Sequence, residues 1–574
     1  MRANEEGAMT SGLRKGLTNY GDAAFSLFLR RAFIKAMGFS DDALDRPIVG
    51  LTDTASDFNP CHGNVPDLIA AARRGVMLAG GLPMAFPTIS IHEAFAHPTS
   101  MFLRNLMALD TEEMLRAQPM DAVVLIGGCD KTLPAQMMGA ASADIPAIVV
   151  PTGPMQTGQY RGEVLGACTD CRRLWGRHRA GEISAAEMDA ITGRLAPTRG
   201  TCMVMGTAST IACMTEAVGL ALPGAATIPA THADRLRLAE ASGAVAVRLA
   251  RQHGPTLRQI VTPAALRNAL TVLQAIGGST NAVIHFAAIA GRLGLTLDLE
   301  MLDRLGREVP VLVDLKPSGA HYMEHFHWAG GMPRLLAELA PLLDTGAPTI
   351  AGGTLADVIA AAEDVPDQSV IRRRDAPIYV GGGLAVLRGS LAPDGALLKR
   401  SAASPALLRH EGRAVVFDGL EDLAARVDDD ALDVQPEDVL VLRRAGPKGA
   451  PGMPEAGALP IPRKLARAGV KDMVRISDAR MSGTAFGTIV LHVAPEAAVG
   501  GPLALVRTGD RIRLDAEARR IDLLVEAPEL ARRRAAWTAP PEPPGAERGY
   551  LRLFLDQVLQ AGEGCDFAFC RPPR

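Results

Sequence analysis

Aromatic residues make up only 4% of this 574-residue sequence, so alanine, leucine and valine must fill its core. No run of about 18 apolar residues free of charge occurs, which predicts no membrane-spanning helix. No sign of charge dominates either: 60 Lys and Arg stand against 63 Asp and Glu, a net charge of −3. That balance gives no electrostatic ground for binding nucleic acid or an anionic membrane. Cysteine is sparse, with eight in the chain, too few for a disulfide scaffold. The stretch MRANEEGAMTSGLRKG at the amino terminus is polar and of mixed charge, without the apolar segment of an export signal. The expectation is a cytoplasmic protein with reduced thiols, available as ligands or simply buried.

What is present is globular in character. Hydrophobic residues are 48% and charged residues 21%, which excludes a largely disordered chain and a collagen. Residues 122–126 (AVVLI) and 147–150 (AIVV) read as buried strands, with a helix over 133–143 between them. Strand, helix and strand in about 30 residues predict a βαβ unit and a parallel sheet. Residues 99–118 and 263–276 read as amphipathic helices. The texture changes near residue 370. Short apolar runs follow at 378–380, 384–387, 414–417, 439–442, 473–476, 489–493 and 521–525, separated by Gly, Pro and Asp. They predict a β-rich unit, a barrel or a sandwich. A Pro-rich connector at 539–545 leads to a last helix around 550–561. The fold class is therefore α/β, with a parallel-sheet domain over 1–370 and a β-rich domain over 371–574.

Three cysteines sit in loops marked by Gly or Pro, where backbone can approach a cofactor closely: Cys61 in NPCHGN, Cys129 in GGCDK and Cys202 in GTCM. Cys129 directly follows a predicted strand, a favoured place for ligands in α/β sheets. Three unrelated buried thiols are the plain alternative. Cys168 and Cys171 form a CxxC, but no second pair exists to complete a zinc knuckle, so the motif is read as structural. Glu93, Asp130 and Glu455 lie in loops that suit Mg²⁺, a hard ion that prefers oxygen donors; singly, each reads equally as a solvated acid. Residues 477–487 (SDARMSGTAFG) form a small-residue loop after an apolar run, able to expose a hydroxyl or simply to turn the chain. No GxSxG stands in a strand–turn–helix setting, which argues against a serine hydrolase. Residues 277–281 (GGSTN) make another polar loop, and His321, His325 and His327 are candidate substrate contacts or surface residues.

Taken together, the stretches NPCHGNVPD, PTISIHE, GGCDKTLPAQ, GTCMVMGTAST, GGSTN, GMPE and DARMSGT resemble the dihydroxy-acid/sugar-acid dehydratase family. They occur in one order between about residues 25 and 525. The DARMSGT form looks most like the aldonate dehydratases that act on pentonates such as L-arabinonate or D-xylonate. The resemblance implies an amino-terminal α/β domain, a carboxy-terminal β-barrel-like domain with the site between them, and a homodimer or homotetramer. It implies that Cys61, Cys129 and Cys202 hold a [2Fe–2S] cluster, or a [4Fe–4S] cluster as in some members, and that Glu93, Asp130 and Glu455 bind Mg²⁺. Lys131 matches a lysine that is carbamylated in the family and so joins the Mg²⁺ ligands. Ser482 matches the proposed base, with Thr484 a substrate contact. The implied reaction is loss of water from a sugar acid to give a 2-keto-3-deoxy acid. A dihydroxy-acid dehydratase of branched-chain amino-acid synthesis is the alternative within the family. An iron–sulfur redox protein is the alternative of another class, and the acidic and serine loops weigh against it.

Overall fold

A computed structural model describes residues 11–573; the first ten residues of the polar amino-terminal stretch lie outside the described residues. Four parallel strands, β1 (Ile48–Asp53), β2 (Leu82–Pro87), β3 (Ala122–Gly127) and β4 (Ala147–Pro151), form one sheet in the order β2-β1-β3-β4. Every residue of β3 and β4 is buried, so both faces of the sheet need cover. The helices around it are α1 (Val65–Leu78), α2 (Ser100–Ala117), α3 (Thr132–Ala143), α4 (Thr169–Arg179), α5 (Thr207–Ala217), α6 (Ala233–Gln252), α7 (Pro263–Ala275) and α8 (Asn281–Arg292). The predicted βαβ unit is β3–α3–β4. Helices α1 and α6 lie side by side on the sheet at very close range. Gly75 and Gly243 permit this: a Cβ on Gly75 would fall 1.8 Å from the Glu240 carbonyl oxygen, and one on Gly243 2.3 Å from that of Ala72. A small antiparallel hairpin, β5 (Gly158–Tyr160) and β6 (Glu163–Leu165), follows the sheet.

The second sheet comprises β7 (Leu384–Leu387), β8 (Gly395–Lys399), β9 (Arg409–Asp418), β10 (Val439–Arg443), β11 (Arg475–Ser477), β12 (Ile489–Ala494), β13 (Arg511–Asp515) and β14 (Arg520–Leu523). Its order is β14-β13-β9-β10-β11-β12-β8-β7, and a bridge between Arg388 and Arg520 draws its outer strands together into a nearly closed barrel. Strand periodicity splits the side chains into two cores. Leu398, Val416, Val441 and Ile476 fill one face; Val415, Phe417, Leu440 and Leu442 pack under Leu423 and Leu465 on the other.

The apolar run 378–380 does not form a strand. Tyr379 makes only an isolated bridge to Val311, and Val380 is 86% exposed, just before three glycines. The run at 473–476 supplies β11 only from Arg475 onward. In this second sheet two strands lay outside the expected runs, as did β1, β2, β5 and β6 earlier in the chain. β13 (RIRLD) alternates charged and apolar residues and buries only its apolar face, and β8 begins on a glycine at φ 108°. The last helix, α9 (Gly549–Gln557), docks back on α2, where the Tyr550 hydroxyl donates to the Phe102 carbonyl at 2.8 Å. Arg104 of α2 donates to the carbonyls of Gly564 and Cys565. The chain thus closes one half of the molecule on the other.

Candidate active site

Parallel strands place all their carboxyl ends along one edge, and the loops leaving that edge form the site. The loop after β1 carries Cys61, the loop after β2 carries His92 and Glu93, and the loop after β3 carries Cys129, Asp130 and Lys131. Beyond β4, a bridge between Pro154 and Thr201 holds the Cys202 segment in line with the same edge. His62 locks two of these loops together. Its Nε2 accepts from the N–H groups of Gly128 at 3.0 Å and Cys129 at 3.1 Å, so its proton is on Nδ1, which donates to the Thr54 carbonyl at 2.8 Å. Burial pushes its pKa down to about 4, so the ring stays neutral in this role.

The thiols gather in two groups. Cys61, Cys129 and His92 bring their ligand atoms within 4.8 Å of one another. Contact with Cys129 and burial hold the Cys61 thiol well above its ordinary pKa. Cys202 faces a cysteine that was read as structural: its sulfur lies 3.4 Å from that of Cys168. Two helices, α4 and one over Ala185–Leu195, lie between these two cysteines in the chain. The CxxC loop is firmly built. Asp170 accepts from the Gly166 N–H at 2.8 Å and the Tyr322 hydroxyl at 2.8 Å, and pairs with Lys316 and Arg173. Hydrogen bonds from Cys171 and Cys202 hold Cys168 well below the usual thiol pKa.

The acidic residues adjoin the thiols, since the Cys129 sulfur lies 3.6 Å from Asp130 Oδ1. Lys131, fully buried, reaches Asp130 at 2.5 Å and Glu93 at 3.4 Å. Arg480, also buried, spans Glu93 at 2.9 Å and Glu455 at 2.5 Å. Burial and the Arg480 charge oppose the Lys131 ammonium, but Asp130, Glu93 and Glu455 more than offset them and hold its pKa above the ordinary value. Burial also opposes the ionised form of Glu93, yet Arg480, Lys131, Ser100 and Thr99 keep it a carboxylate far into acid. Glu455 goes the other way: burial raises it, and Arg480 only partly compensates. A cavity of about 650 Å³ opens beside Glu455, with Arg172, Arg173, Ala485 and Phe486 in its wall.

Ser482 follows Arg480 by two residues. Its hydroxyl lies 2.8 Å from that of Thr484. Three side chains grip the backbone around it: Asn281 donates to the Met481 carbonyl at 3.0 Å, Lys399 to that of Gly483 at 3.1 Å and Thr169 to that of Thr484 at 3.0 Å. The 277–281 loop thus holds the serine loop. His327 packs against His232 and Trp328, and His321 against His325. Sequence reasoning missed His62, Arg480 and Lys399. The first two stand within quoted motifs, yet nothing in a linear motif shows which partner each holds; Lys399 stands outside every quoted motif and ends an unrecognised strand.

The family profile described as dihydroxy-acid/6-phosphogluconate dehydratase, N-terminal, matches residues 46–358, and its C-terminal counterpart matches 369–565. An L-arabonate dehydratase of Azospirillum brasilense is 49% identical over 94% of both chains. A 6-deoxy-6-sulfo-D-gluconate dehydratase of Pseudomonas putida is 44% identical, again over 94% of both. A dihydroxy-acid dehydratase of Moorella thermoacetica is 39% identical over 93% of this chain and 97% of its own.

Proposed function

Because the chain belongs to the dihydroxy-acid/6-phosphogluconate dehydratase family, we propose that it is a hydro-lyase acting on a sugar acid, converting an aldonate such as a pentonate to its 2-keto-3-deoxy acid. One observation carries the proposal. Thiols and carboxylates from separate strand-end loops adjoin, and the gripped serine follows by two residues the arginine that spans Glu93 and Glu455. A sugar acid is favoured over a branched dihydroxy acid by the relatives named for sugar acids, at 49% and 44% identity against 39%.

The donor sets fit two inorganic groups. Cys61, Cys129 and Cys202 would hold an iron–sulfur cluster, either [2Fe–2S] or [4Fe–4S], and three thiolates leave one coordination position short of four. Glu93, Asp130 and Glu455 are an oxygen set suited to Mg²⁺. Lys131 at their centre would repel the ion as an ammonium and join it as a carbamate. When bound, the two groups supply Lewis acidity to the departing 3-hydroxyl and to charge developing at C2.

The protein's own residues then handle the proton. Ser482, its hydroxyl proton first lost to solvent, takes the C2 proton on Oγ, and Thr484 Oγ1, 2.8 Å away, donates to that oxygen while it is ionised. The grips from Asn281, Lys399 and Thr169 keep the hydroxyl in one place. The enol released by elimination tautomerises to the keto acid. The test is 2-keto acid formation by anaerobically prepared, iron-loaded protein with Mg²⁺. Its substrates are L-arabinonate, D-xylonate, other pentonates, hexonates, 6-deoxy-6-sulfo-D-gluconate, 6-phosphogluconate and 2,3-dihydroxyisovalerate. Turnover of an aldonate supports the proposal. Turnover of 2,3-dihydroxyisovalerate alone moves the protein to amino-acid synthesis, and no turnover with an intact cluster favours a redox role.

A further inference from the structure

We propose that the carboxy-terminal segment, residues 549–570, is a clasp that fixes Glu93 and Glu455 relative to each other and thereby sets the affinity for Mg²⁺, with Gln560 and Met453 as positioning residues. The inference rests on the assignment of those acids to Mg²⁺.

The segment touches both acid-bearing elements. On one side lies the loop 445–455, which ends in Glu455. Glu496 holds the start of that loop, accepting from the Lys448 N–H at 3.0 Å and the Gly449 N–H at 2.9 Å. Gln560 holds Glu496 in turn. Its side-chain amide donates to the Glu496 carboxylate at 2.8 Å and accepts from the Glu496 N–H at 3.1 Å. Met453 seats the far end of the loop. Its side chain is buried in a cluster with Phe554, Phe567 and Cys565, and the Cys565 sulfur lies 3.8 Å from its own. Met453 also stands at φ 53°, a conformation that a side-chain-bearing residue keeps only where its surroundings enforce it.

On the other side lies the start of α2, where Thr99 donates to Glu93 at 2.6 Å and Ser100 donates to its second oxygen. One turn on, Arg104 and Asn105 donate to the Cys565 carbonyl at 3.0 Å and 2.8 Å. Buried Asp566 pairs with buried Arg292 of α8 at 2.9 Å and anchors the segment. The two sides also meet directly: a Cβ on Gly452 would fall 2.6 Å from Thr99 Cγ2. Gln560 and Met453 therefore act through the loop that carries Glu455, and residues that orient metal ligands in this way change metal affinity by about ten- to a hundredfold when removed.

The experiment is calorimetric titration of Mg²⁺ into full-length protein, reconstituted anaerobically with iron and free of Mg²⁺. Wild type is compared with Gln560→Met, Met453→Ala, Met453→Leu, Glu455→Gln and Ile512→Val, the last a buried truncation on β13. Gln560→Met and Met453→Ala should weaken Mg²⁺ binding by about tenfold or more, with iron content and visible spectrum unchanged. Met453→Leu, which conserves volume, and Ile512→Val should bind as wild type does. Turnover of Gln560→Met should return toward the wild-type level at saturating Mg²⁺, so that its defect is a raised Mg²⁺ requirement and not a lowered kcat. Circular dichroism checks that each variant folds, and Gln560→Met alone decides the matter where Met453→Ala does not. Wild-type affinity in Gln560→Met overturns the proposal, as does equal weakening in Ile512→Val, which traces the effect to lost stability. If Glu455→Gln binds Mg²⁺ as tightly as wild type, the Mg²⁺ assignment fails instead, a result separable from failure of the clasp alone.

Discussion

Ser482 is the residue on which the proposed chemistry turns, and its surroundings are specific. Among the described residues its hydroxyl bonds to Thr484 alone, and the backbone on either side is gripped by residues remote in sequence. Ser482→Ala removes one oxygen from a half-buried position and should leave fold and iron content unchanged. Turnover should fall by about a hundred- to ten-thousand-fold, the usual range for loss of a positioned base. Steady-state assays on variants matched for iron content check this. Cys129→Ser should lose the visible absorption of the cluster, and full iron content in that variant contradicts its assignment as a ligand. The cysteine and acid positions were legible because each sits in a Gly- or Pro-marked loop of unusual composition. Arg480 was not, because its function is a contact with Glu93 387 residues away. The closeness of Cys168 and Cys202 was not legible either, because they stand 34 residues apart in different loops.

The serine loop works as a unit with the strands and loops that hold it. Gly483 lies so close to its neighbours that a Cβ there would meet Ser279 Cβ at 2.6 Å and the Thr207 nitrogen at 2.8 Å. Gly483→Ala should therefore shift the loop, with a loss of stability of about 1–3 kcal/mol and a larger loss of turnover. Denaturant unfolding and kinetics on one preparation separate the two effects. Lys399, at the end of β8, is buried, and burial pulls its pKa from 10.5 down to about 7. The unfolded chain keeps that proton up to about 10.5, whereas the folded protein releases it near 7. Between those values the unfolded state binds more protons, so this group makes stability rise with pH and withdraws that contribution as pH falls toward 7. Lys399→Met should flatten the dependence of thermal stability on pH over that window, and an unchanged slope contradicts the assignment. At this scale the sequence showed β3 and β4, because they are unbroken apolar runs, but not β1 and β8, also buried, where Gly50 and Gly395 and polar residues interrupt the pattern. It hid β13, whose outward charges interrupt the apolar signal, and it falsely suggested a strand at 378–380, an apolar run that never becomes buried.

Across the whole molecule, the site bridges the parallel sheet and the barrel. Glu93 and Asp130 come from the first and Glu455 from the second, and Arg480 spans between them. An ion held by all three acids should couple the two parts. Mg²⁺ should raise the unfolding temperature, worth about 2.7 kcal/mol at roughly a hundredfold excess over its Kd. Glu455→Gln should lose most of that gain; equal stabilisation of variant and wild type would place the ion elsewhere. The βαβ order and the change of texture near residue 370 made the two architectures readable. The near-closure of the barrel was not, because it depends on the bridge between Arg388 and Arg520, which no local pattern encodes.

The most direct measurement is NMR of the product formed in D₂O by iron-loaded, Mg²⁺-supplemented protein, wild type beside Ser482→Ala at matched iron content. Elimination through an enol predicts a 2-keto-3-deoxy acid carrying one solvent deuterium at C3 from wild type, and almost none of that product from the variant. Undiminished product from Ser482→Ala, or a product without solvent deuterium at C3, would contradict the account.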